Sequence, residues 1–168
     1  MRQPDLFKAE VKPPPKPVQP VEYKVVALRE CPAPEYLRSC DTPQHAADYW
    51  RQCVSPAPHY DPDKECFVVL LLTTRKRVKG HHVVGVGLLD QVLVHAREVF
   101  RPAIVATAHA VVVMHNHPRG DPSSSEADIR ITRELIRAGQ LLRIEVLDHV
   151  IVTPSRHSSL RELGWFHP

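Results

Sequence analysis

Two uninterrupted apolar runs mark the chain, Cys66 to Leu72 (CFVVLLL) and Ala110 to Met114 (AVVVM). Neither alternates with polar residues, so each reads as a central strand buried on both faces. Tyr23 to Arg29 (YKVVALR) and Val146 to Val152 read as further strands. The turn chemistry of TTRKR predicts a hairpin after the first run, with Val78 to Val86 as its return strand. Thr42-Pro43 opens a helix, Thr as N-cap and Pro in the first turn, running to about Cys53. His95 to Ala108 has helical character, but Pro102 inside it is expected to kink the helix or delay its start. Ser125 starts the longest helix. Its Ala127, Ile131, Leu135, Ala138 and Leu142 predict one apolar face, with Gly139 capping or loosening the last turn. Ser158 to Leu163 reads as a short terminal helix. Strands and helices mixed in this irregular order predict an α/β (α+β) fold, one sheet flanked by helices.

Composition adds boundaries. Residues 1–22 carry six of the 17 prolines and almost no periodicity, which predicts an extended or disordered arm before a single domain over 23–168. A net charge of +3 is too small to imply nucleic-acid binding from electrostatics alone. The basic group Arg75, Lys76, Arg77 and Lys79 could touch phosphate, but a solvated hairpin tip is the simpler reading. MRQPDLFKAEV has no apolar signal core, and the apolar runs are too short to span a bilayer. Cys31, Cys40, Cys53 and Cys66 form no C-x-x-C pair and read as small buried residues in a reducing, cytoplasmic setting.

The chemistry concentrates after the second apolar run. His115 and His117 are two residues apart on a strand end, so both imidazoles project from one face. The loop that follows contains Pro118, Gly120 and Pro122 and can bring Asp128, in the first turn of the next helix, back beside them. Two histidines and one carboxylate are a zinc ligand set with a fourth position left for water, which predicts a zinc-dependent hydrolase. Structural readings compete. A bare H-x-H is weak, Ser125 and Asp128 have the spacing of a capping box, and Asp148-His149 reads equally as a pair orienting a metal ligand or as a buried structural pair.

The pattern His115-x-His117, seven residues, Ser125, two residues, Asp128 resembles the JAMM (MPN+) metallopeptidase motif. MHNHPRGDPSSSEADI, LLRIEVLDHVIV, SSLRELG and VHAREVF are similar to segments of the RadC-family JAMM domain over about residues 60 to 164. The resemblance implies a cytidine deaminase-like mixed sheet, Zn2+ on His115, His117 and Asp128, and a catalytic glutamate before the central strand. KECFVVLLLTT places that glutamate at Glu65. Glu65 would act as general base on the water, and Ser125 would donate to the developing oxyanion. Thr73, His81-His82 and Pro102 depart from the family pattern. No helix-hairpin-helix segment is legible in residues 1–60.

Three functions follow as expectations. The first is a metallopeptidase or isopeptidase acting on an unidentified peptide or protein. The second is a DNA repair-associated RadC-like factor or metal-dependent nuclease. The third is a non-catalytic interaction module. No membrane partner is expected.

Overall fold

The computed structural model describes residues 33–58, 60–87 and 94–166. The expected arm and the strand expected at Tyr23 to Arg29 lie outside these. The elements are α1 (Pro43–Tyr49), β1 (Cys66–Leu72), β2 (Val78–Val86), α2 (Ala96–Val105), β3 (Ala110–Asn116), α3 (Glu126–Leu142), β4 (Glu145–Val152) and β5 (His157–Ser159). They form one five-stranded sheet in the order β2-β1-β3-β4-β5, flanked by helices. β3 and β4 are parallel and joined through α3, and the other pairs are antiparallel.

Both faces of the sheet are covered, which explains the unbroken apolar runs of β1 and β3. Val68, Leu70, Leu72, Val112 and Met114 pack with Ala46, Ala47, Tyr49 and Trp50 of the α1 region. Phe67, Val69, Val111 and Val113 pack with Val99 and Phe100 of α2 and Leu135 and Ile136 of α3. His115 and His117 share the parity of Val111 and Val113, so they belong to the α3 face.

Local signals largely explain the helices. The Thr42 side chain accepts from the His45 amide, and Pro43 stands in the first turn of α1. A turn of π-helix, Trp50–Val54, continues it close to the expected end. α2 runs through Pro102 and is short, ending at Val105 rather than Ala108.

Three expectations change. The buried stripe of α3 is Ile129, Thr132, Leu135, Ile136 and Gly139, whereas Ala127 and Leu142 are exposed. Gly139 is not the cap. Arg143 takes that place with φ 55° in the left-handed region. Gly139 is instead a contact point, since a Cβ there would stand 2.5 Å from the Ile144 carbonyl oxygen. The segment from Ser158 to Leu163 is not a helix. Ser158 and Ser159 pair with β4 as β5, and a single turn follows, in which the Leu163 amide donates to the Ser159 carbonyl.

Candidate metal centre

The centre forms where β3 ends against the start of α3. His115 is buried at the last ladder positions of β3, paired with Phe67 of β1 and Ile151 of β4. The Phe67 ring lies parallel to the His115 ring at 5.9 Å between centroids. His117 follows the strand, its amide donating to the Val152 carbonyl. The return loop is held by its own polar groups. The Asp121 carboxylate accepts from the Ser123 amide and hydroxyl, Arg156 donates to the Gly120 carbonyl, and the Ser158 hydroxyl donates to the Pro122 carbonyl. Gly120, at φ 79°, takes a backbone conformation suited to glycine.

The loop delivers Asp128 to the histidines. His115 Nε2 lies 3.0 Å from His117 Nε2 and 3.2 Å from Asp128 Oδ1, and His117 Nε2 lies 3.8 Å from Asp128 Oδ2. Among the described residues, these three side chains are the group that could hold a metal ion. Ligand atoms around a tetrahedral zinc stand roughly 3.3 Å apart, which these separations bracket.

The capping box is also present, so the two readings of Asp128 coexist. The Ser125 amide and hydroxyl donate to Asp128 Oδ2 at 2.8 and 2.7 Å, while Ser125 Oγ accepts from the Asp128 amide. Oδ1 remains directed at His115. Burial alone would raise the Asp128 carboxyl, but His115 and the two Ser125 donors outweigh it and hold the group well below the usual carboxylate range.

Hydrogen-bond partners fix which ring nitrogens carry protons. His117 Nδ1 lies 2.7 Å from the Asp121 carbonyl oxygen. A carbonyl only accepts, so Nδ1 holds the hydrogen and the Nε2 of the neutral ring presents a lone pair. His115 Nδ1 lies 2.8 Å from His149 Nε2. On the far side of that ring, His149 Nδ1 lies 2.6 Å from Thr132 Oγ1, which donates to the Asp128 carbonyl at 2.5 Å. His149 is fully buried, and this desolvation pushes its pKa well below the usual histidine range, so the ring is neutral. With both ligand rings neutral, two imidazole lone pairs and a carboxylate oxygen face one another, a donor set that fits a divalent cation.

Glu65 is half-buried immediately before β1, and its carbonyl accepts from the Gly87 amide. Continuing the β1–β3 register by two places sets Glu65 across from His117, on the face of Phe67 and both histidines. Asp148 and His149, read from sequence as a pair, part company. Asp148 Oδ2 accepts from Ser159, and Oδ1 accepts from the His149 and Arg161 amides. It borders a cavity of about 130 Å³ lined also by Cys40, Thr42 and Arg161.

The family model of the RadC-like JAB domain matches residues 40–165. The chain belongs to the RadC-like JAB-domain family. It is 48% identical over 102 residues to a UPF0758 protein of Desulfitobacterium hafniense, covering 61% of this chain and 45% of that one. A UPF0758 protein of Methanosarcina mazei is 42% identical over 102 residues, covering 61% and 44%. One of Thermosynechococcus vestitus is 46% identical over 99 residues, covering 59% and 40%. The chain spans less than half the length of these curated relatives.

Within this JAB domain, sequence reasoning missed two groups. Thr132 carries only the signal of standing four residues after Asp128, one helical turn on. Asn116, between the two histidines, points the other way. Its side chain accepts from the Cys66 amide at 2.8 Å and donates to the Lys64 carbonyl at 2.9 Å, gripping the chain on both sides of Glu65.

Proposed function

We propose that this JAB domain is a zinc-dependent hydrolase that cleaves an amide bond in a peptide or protein, with His115, His117 and Asp128 as the metal ligands. The observation that carries the reading is the convergence of His117 Nε2 and Asp128 Oδ1 within 3.2 Å of His115 Nε2. Bound zinc supplies a water of lowered pKa and polarises a carbonyl oxygen. Glu65 takes the proton of the attacking water and returns it to the leaving amine. Ser125 steadies Asp128 in the resting arrangement. Its hydroxyl reaches a developing oxyanion by turning away from Oδ2, while the Ser125 amide keeps its own bond to that oxygen. The Phe67 ring against His115 keeps bulk water from the inner side of the site.

The reading includes a reducing, cytoplasmic setting, which the buried free thiols Cys40 and Cys66 support. No helix of the described residues is long and apolar enough to cross a membrane. The nuclease alternative rests on the family resemblance and slight basicity, and the basic residues Arg75 and Arg77 stand at the Leu72 end of β1, opposite the end that meets His115. That separation favours amide hydrolysis over action on nucleic acid.

The test is metal analysis joined to a peptide and isopeptide library screen. His115→Ala and Asp128→Ala should lose zinc retention and turnover together. Glu65→Gln should retain zinc and lose turnover by at least about a hundredfold, at the lower end of general acid–base contributions. A Glu65→Gln variant as active as the parent removes Glu65 from the mechanism. Salt-dependent duplex DNA binding without amide hydrolysis would turn the reading toward the nucleic-acid alternative.

A further inference from the structure

The contacts behind His115 form a closed circuit. It leaves the Asp128 carboxylate through His115 Nε2, crosses the ring to Nδ1, and passes to His149 Nε2 at 2.8 Å. It crosses the second ring to Nδ1, reaches Thr132 Oγ1 at 2.6 Å, and returns to the Asp128 backbone carbonyl at 2.5 Å. Three elements contribute: β3 gives His115, β4 gives His149, and α3 gives both Thr132 and Asp128. His149 and Thr132 are fully buried, so water offers no substitute partner.

Both ends of the circuit can only accept, the ionised Asp128 carboxylate at one and the Asp128 backbone carbonyl at the other. The Asp128 carbonyl can accept and cannot donate, so the single Thr132 hydroxyl proton points at it. Thr132 Oγ1 then has only lone pairs for His149, whose Nδ1 must carry the ring hydrogen. His149 Nε2 is left as an acceptor, so His115 Nδ1 carries a hydrogen, and in the neutral ring that leaves His115 Nε2 bare. The direction of every bond follows from one backbone oxygen three groups away.

We propose that Thr132 and His149 are positioning residues that lock His115 in the Nδ1–H tautomer, presenting Nε2 as a ready metal donor and fastening the ligand-bearing helix to the ligand-bearing strand. The inference rests on the zinc reading of the same site and adds the device that prepares it. A neutral imidazole free in water favours the opposite, Nε2–H form, so the circuit works against the intrinsic preference of the ring. Removing the Thr132 hydroxyl frees His149 to carry its hydrogen on Nε2, which then donates to His115 Nδ1 and drives the His115 hydrogen onto Nε2. In that form His115 cannot ligate without first giving up a proton.

The experiment uses the full chain and the variants Thr132→Val, Thr132→Ser and His149→Gln. Val matches Thr in shape and keeps the core filled, Ser restores the hydroxyl, and near-ultraviolet circular dichroism checks that each variant folds. Two readouts are taken. Long-range proton–nitrogen correlation spectra of metal-free protein report the His115 tautomer, and chelator competition with Zn2+ and Co2+ reports affinity. The parent and Thr132→Ser should show His115 as Nδ1–H. Thr132→Val should lose that tautomer and bind either metal about ten- to a hundredfold more weakly, with Thr132→Ser restoring affinity to within about threefold of the parent. Folded Thr132→Val with the parent's tautomer and affinity would overturn the inference. So would a Ser variant no better than the Val variant. A parent that binds neither metal would sink the zinc reading, and the metal-free spectra would still decide the tautomer lock.

Discussion

Single side chains here differ mainly in whether burial leaves them a partner. Burial pushes the Cys40 thiol up to about 12, with Asp41 and Asp148 adding to it, and burial pushes Cys66 up to about 11. The thiolate is the reactive form, so both should resist a disulfide-exchange reagent at pH 8 in the folded protein and react promptly in denaturant. Peptide mass mapping of the labelled sites checks this, and labelling of either in the native state would contradict the packing. The same scale shows what a sequence can disclose. The grouping of His115, His117 and Asp128 was legible because the whole pattern, unlike H-x-H or the capping box alone, has few other uses. Thr132 was not, because a threonine within a helix looks like any other. Its importance comes from which buried nitrogen it meets, a fact of tertiary contact. The Asp148-His149 dipeptide looked like a unit, yet strand geometry sends adjacent side chains to opposite faces, one to Ser159 and one to the histidines.

Elements were read best where local rules suffice. β1, β2 and the α1 cap follow from apolar runs, turn chemistry and a Thr-Pro start. α3 was found, but its buried face was displaced. The true stripe contains Thr132 and Gly139, which a count of apolar spacing skips, so the count slid toward Ala127 and Leu142. β5 was mistaken for a helix because it is three residues long and its pairing to β4 is nonlocal, while the turn after it imitates helical bonding. Asn116 holds residues 64 and 66 and thereby the chain that carries Glu65. Asn116→Ala leaves the buried Cys66 amide unpartnered and should cost about 1–3 kcal/mol of stability by urea denaturation. Turnover should fall about ten- to a hundredfold through misplacement of Glu65, with zinc affinity held within about threefold. Zinc lost along with turnover would show that Asn116 serves the ligand cluster rather than Glu65.

The whole molecule should register metal binding as stability, because the ligands come from two elements that folding must unite. Zinc at a hundredfold excess over its dissociation constant should stabilise the native state by about 2.7 kcal/mol. For a chain of this size that is a rise of about 5–10 °C in Tm. His115→Ala should show no such rise in a thermal scan, and an equal rise in that variant would place the binding elsewhere. The molecule also contains one mechanical asymmetry. The backbone of α3 is pressed against Ile144 at Gly139, while its other end, at Asp128, is held by side-chain bonds in a loop. Eleven residues of helix separate the two, a lever arm of about 16 Å. With Gly139 as fulcrum, a tilt of about 4° moves the Asp128 end by about 1 Å along that arm's arc, so crowding at this remote glycine would be magnified at the opposite tip of the helix.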